Sequence, residues 1–153
     1  MQKYEFDKKT FMEELISIKD FRLHVLFVHL HIEFWMNNII EIKFSHPKTI
    51  MHNKDFKTFS NKLELLYAMD VINENIYQQI KAVNRIRNHY AHNITLNKDF
   101  PSEVKKYIDE LCALNKGDFI DKCIKLEHKF ITASSYLVGY LNGLYEKMLK
   151  PVE

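Results

Sequence analysis

Apolar side chains recur at steps of three and four along most of this chain, the period of a helix packed on one face. Phe21, Val25, Val28, Ile32, Trp35, Ile39 and Ile42 carry that period furthest and predict a long helix over residues 21–44. Phe11, Leu15 and Ile18 predict a shorter amphipathic helix before it, over 7–18. Ser45-His46-Pro47 ends the long run, because proline disfavours helical backbone in the residue that precedes it. Residues 48–59 are polar and mixed, and read as a loop. Asn61, with Glu64 three residues on, resembles a capping arrangement and starts a short helix through Leu63, Leu66, Tyr67 and Met69. A turn over 70–75 follows, in which Asn73 or Asn75 can cap a helix over 74–91. Residues 93–100 read as a loop, and Pro101 suits the first turn of a helix that ends near Leu114. Lys116-Gly117-Asp118 is a break with a capping aspartate. The last helix is expected over 119–149, with Phe119, Cys123, Phe130, Ser134, Leu137, Leu141, Leu144 and Met148 along one side. Gly139 and Gly143 inside it either admit a close neighbour or simply weaken it.

No stretch shows the alternation of a strand, and no repeat or low-complexity segment appears. The expectation is an all-α, up-and-down helical bundle of three long helices and two or three shorter ones, forming one domain over residues 1–153. Composition agrees: 3 Gly and 3 Pro leave few breakers, and a hydrophobic share of 46% suffices for a core and excludes disorder. Cys112 and Cys123 lack metal-type spacing and read as small core residues of a reducing compartment. Met1 to Thr10 is charged, with no apolar signal core, and no apolar run approaches a membrane span. A cytoplasmic protein with no membrane partner is expected.

The net charge of +2 is too small to imply a polyanionic partner, but its distribution is uneven. Between Lys43 and Lys98, nine Lys or Arg face four acids, leaving +5 there and −3 over the remainder. This basic stretch is either a solvated surface or a modest attraction for an anion. It contains the string Arg87-Asn88-His89-Tyr90-Ala91-His92, where polar, chemically capable side chains interrupt an apolar pattern.

On a helical wheel started at Ile76, the residues Ile80, Val83, Tyr90 and Ile94 share its stripe, and Arg87 falls within it at about 20°. A guanidinium keeps its charge, so a place on an apolar stripe calls for a cleft, a partner anion or another subunit. His92 falls at about 160° on the same wheel, nearly opposite. One regular helix therefore does not aim Arg87 and His92 at one spot. Either the helix unwinds near Ala91, or two copies meet across a two-fold axis and combine their side chains.

Such residues suit phosphodiester cleavage. Arg87 can grip a phosphate and offset transition-state charge. His92 has the side chain best suited to exchange protons near neutral pH. Asn88 can orient either group, His89 is a second proton carrier, and Arg85 is an auxiliary cation nearby. In RNA the neighbouring 2′-hydroxyl supplies the nucleophile, so neither a protein nucleophile nor a metal or other cofactor is required. A plainer reading is that cations at the end of a helix complement its dipole.

Arg87-Asn88-x-x-x-His92 resembles the signature of the HEPN superfamily, an Arg, often a following polar residue, and a His four to six residues beyond the Arg. Members of that superfamily are small helical bundles that commonly dimerise through the motif helices. Many are metal-independent endoribonucleases of toxin–antitoxin, phage-defence and CRISPR systems. The resemblance implies a HEPN-like bundle in which Arg87 and His92 are catalytic and Asn88 supports them. It also implies RNA as substrate, a homodimer, and an antitoxin or nucleotidyltransferase as candidate partner. Residues 60–93 also resemble HEPN-related proteins of the mannitol operon repressor type, which are regulators. That likeness implies, as the alternative, a catalytically silent module that binds RNA or protein.

Other candidates are weaker. His89 and His92, three apart, suit one zinc face, but no third ligand is identifiable. His24 and His31, one heptad apart, read as partly buried polar residues. Trp35 and the tyrosines at 67, 77, 136, 140 and 145 sit at helical spacings and read as packing.

Overall fold

The computed structural model describes residues 7–93, 99–115, 120 and 122–150. Seven helices are defined among them: α1 (Lys8–Ser17), α2 (Phe21–Lys43), α3 (Pro47–His52), α4 (Phe59–Ala68), α5 (Glu74–His92), α6 (Ser102–Leu114) and α7 (Leu126–Leu149). The architecture is all-α, and α2, α5 and α7 are the three long helices.

Local chemistry sets most boundaries. Asp7 accepts from the Lys9 amide and starts α1, and Asp20 accepts from the Arg22 amide and starts α2. Thr58, rather than Asn61, caps α4: its hydroxyl accepts from the Asn61 amide at 3.2 Å. Asn73 accepts from the Ile76 amide at 3.0 Å and caps α5. Asn75 instead reaches across to the Leu114 carbonyl at the end of α6. Between α4 and α5, Asp70 adopts φ 53°, a left-handed conformation that short polar side chains tolerate better than branched ones.

Two expectations need correction. Residues 48–59 are not all loop, since Pro47 sits in the first turn of α3, where its missing N–H costs nothing. The helix has no buried residue, so no apolar period announces it. The final helix begins at Leu126, because Lys122 to Lys125 are non-helical; Cys123 therefore lies off it. The break at 116–118, the start at Phe119 and Ile94 lie outside the described residues.

α2 packs on α7 and α5, while α6 closes the ring by packing on those same two helices. α4 and α3 flank α2, and α1 lies against α7. The core inside this ring holds Trp35 and Met36 from α2, Ile80 and Ile86 from α5, Ile108 from α6 and Phe130 from α7, all fully buried. Each fully buried side chain of this size is worth about 1.5–3 kcal/mol of transfer free energy, so the ring is held chiefly by apolar burial. Gly139 and Gly143 are not close-approach sites: a Cβ on either would meet nothing within 4 Å. Cys112 and Cys123 are half-buried thiols, not a disulfide. Among the described residues no helix is long and apolar enough to cross a membrane.

Candidate functional site

Helix α5 sends buried side chains into the core as far as Ile86, and from Arg87 onward its side chains are half-buried or exposed. The motif therefore sits where the helix leaves the core. Arg87 is half-buried, and its Nη1 donates to Asn88 Oδ1 at 3.1 Å. The helix stays regular through His92, so unwinding near Ala91 does not occur. His92 is exposed in the last turn, about 7.5 Å along the axis from Arg87 and about 140° around it. The structure joins Arg87 to Asn88 and leaves His92 apart within one chain.

The two auxiliary residues point elsewhere. Arg85 pairs with Glu110 of α6 at 3.3 Å and lies 5.6 Å from the centre of the Tyr107 ring. His89, one turn on, sets Nδ1 3.1 Å from Glu103 of α6. Both fasten α5 to α6 on the side away from Arg87. Tyr90 packs edge-on to Phe21 at 6.0 Å, and burial pushes its hydroxyl up to about 12. Among the described residues no three His, Cys, Asp or Glu side chains gather as a metal-ligating group.

A polar cluster that the sequence alone does not single out lies beside Arg87. His29 of α2 is buried, with its ring stacked on Phe59 at 4.0 Å. Its Nε2 lies 3.1 Å from Asn84 Oδ1, and Asn84 Nδ2 reaches towards Ser60 at 3.4 Å. This pattern gives His29 the Nε2–H tautomer, assigned from the network. Burial is the main cause lowering the His29 pKa; the Asn84 hydrogen bond opposes it, and the Arg87 charge adds to the lowering. One turn along α2, Glu33 accepts from Lys62 at 3.0 Å, and that ammonium is held at 6% residue exposure. Asn84, Arg87 and Asn88 recur by three and four, so a polar stripe on α5 was the available signal. His29 shows no such period, since it stands alone at the edge of an apolar face.

The other two histidines of α2 behave as packing. His24 is buried, with Nδ1 3.3 Å from Glu127, and His31 lies against Phe11 and Phe27, where burial lowers its pKa. Chemically, the outer end of α5 offers a fixed guanidinium with an amide beside it, backed by a neutral imidazole, and an exposed imidazole further round. That set can hold an anion at Arg87, and it places a proton carrier out of reach of that anion within one chain. Comparison with known proteins leaves this geometry to stand by itself: no family model matches the chain, and neither a curated protein nor a solved structure matches it.

Proposed function

We propose that this chain is a HEPN-type, metal-independent endoribonuclease whose site is completed by a second copy. The observation that carries the reading is Arg87: a half-buried guanidinium held by Asn88 at the exposed end of an unbroken helix, with His92 turned away from it. Arg87 of one copy binds the scissile phosphate, and His92 of the other draws the proton from the 2′-hydroxyl. The 2′-oxygen bonds to phosphorus, the bond to the 5′-oxygen breaks, that oxygen leaves with a proton taken from water, and the His92 imidazolium returns its proton to solvent. The ends formed are a 2′,3′-cyclic phosphate and a 5′-hydroxyl. Leu23, Leu26 and Leu30 of α2 are 54%, 42% and 55% exposed, and they supply an apolar stripe for a partner copy to cover.

The test is incubation of purified protein with RNA in EDTA, followed by analysis of the ends. Wild type is expected to leave cyclic phosphates, and His92→Ala to cut at least about 100-fold more slowly, as general acid–base contributions run. Intact RNA, or equal cutting by the variant, overturns the reading. The divergence of Arg87 and His92 within one chain also favours a second reading, a silent regulatory module like the mannitol operon repressor type. It predicts RNA or protein binding that needs Arg87 and survives His92→Ala.

A further inference from the structure

Away from the Arg87 end, α1, the first half of α5 and α7 enclose a cleft of about 790 Å³. That volume lies inside the range of about 300–1,000 Å³ usual for small-molecule sites. Its walls are mostly apolar, with Phe11 and Met12 on one side and Tyr136 and Tyr140 on the other. The two tyrosines are one helical turn apart and 48% and 42% exposed, so each keeps aromatic surface uncovered. Gly139 stands between them, and a Cβ there would meet nothing within 4 Å. No carboxylate lines the cleft among the described residues, and the charged side chain in its lining is the exposed Lys8, so a cation is disfavoured.

Asn115, Thr132 and Ser135 also line the wall but are bonded to the Ala133 carbonyl, Cys123 and the Ile131 carbonyl; the buried polar side chain of the wall is Gln79, 4% exposed. Its amide direction is fixed by a chain of hydrogen bonds. Asn75 Nδ2 donates to the Leu114 carbonyl at 2.8 Å, so Asn75 presents its Oδ1 the other way. Gln79 Nε2 donates to that oxygen at 2.6 Å. Gln79 Oε1 is then left as an acceptor, buried and without a hydrogen-bond partner among the described residues. Buried carbonyl oxygens are nearly always satisfied, because leaving one unmade forfeits its hydration.

We propose that this cleft binds a flat, neutral aromatic molecule carrying one N–H donor, with the donor on Gln79 Oε1 and the rings between Phe11, Tyr136 and Tyr140. The inference is independent of the reading at Arg87. It is tested with 2-phenylindole and 2-phenylbenzofuran, which share a shape and differ in N–H against O. Titration of the full chain, followed by amide NMR shifts, is expected to show 2-phenylindole binding at least about tenfold tighter, the worth of one hydrogen bond to a buried acceptor. Gln79→Met should bring 2-phenylindole down to the benzofuran's affinity and leave the benzofuran unchanged. Gly139→Trp fills the cleft from its open side and should abolish binding of both, with the fold checked by circular dichroism. Equal affinities for wild type, no saturable binding of either probe, or binding that survives Gly139→Trp in a folded protein each overturn the proposal.

Discussion

His29 and Lys62 are polar side chains placed where apolar ones would do, and each has a measurable consequence. Burial holds the His29 pKa below the ordinary 6.5, and the same cause lowers that of His31. The unfolded chain therefore binds more protons than the folded one as pH drops past 6.5, so stability is full above that value and lost on acidification. The Tm should fall between pH 7.5 and pH 5.5, and His29→Gln should flatten that fall; an unchanged slope in the variant would contradict the assignment. Lys62 is paired with Glu33, and Glu33 is partly exposed. Glu33→Gln should cost about 1–3 kcal/mol in a urea melt, less than a fully buried pair, because water reaches the carboxylate side. Arg87 was legible in the sequence as a charge on an apolar stripe, and its half-burial agrees with that. Arg85 was legible only as a nearby cation, and His89 as a second proton carrier. What diverts them, Glu110 and Glu103, lies 25 and 14 residues away, beyond the reach of local spacing.

At the scale of elements, the long helices announced themselves through period, and their ends through caps. Asn73 and Asn75 were equal candidates by sequence. The structure separates them because only Asn75 has the Leu114 carbonyl within reach. α3 stayed hidden because it is short and only half-buries Ile50 and Met51. The start of α7 was misplaced because Cys123 shares its period without joining its helix. Two substitutions probe these elements. Gly143 is exposed within α7 with open space at its Cβ, so Gly143→Ala should stabilise by about 0.5–1 kcal/mol and raise the Tm. Asp70 holds a left-handed conformation, so Asp70→Val should destabilise by about 1–2 kcal/mol while Asp70→Gly does not. Equal Tm values for those two variants would mean that the turn relaxes.

For the whole molecule, the ring of α2, α5, α6 and α7 explains how a sequence with so few breakers closes on one core. It also separates the two ends of α5, and with them the two candidate sites. The composite-site reading makes a prediction that no single chain can satisfy. Arg87→Ala and His92→Ala, each inactive alone, should recover about a quarter of wild-type cleavage when mixed and allowed to exchange subunits. Half of the dimers would then be mixed, each with one of its two sites intact. No recovery on mixing, in proteins shown by light scattering to be dimers, would place Arg87 and His92 in separate roles.

The unbroken course of α5 from Glu74 to His92 has a mechanical meaning. Gln79 and Arg87 ride on one rod, about 12 Å apart along its axis. A tilt of about 5° pivoting at the Gln79 end would carry the Arg87 backbone through about 1 Å, the scale at which misplacement slows a reaction. A small change of angle at the Gln79 end is thus magnified into displacement at the guanidinium end.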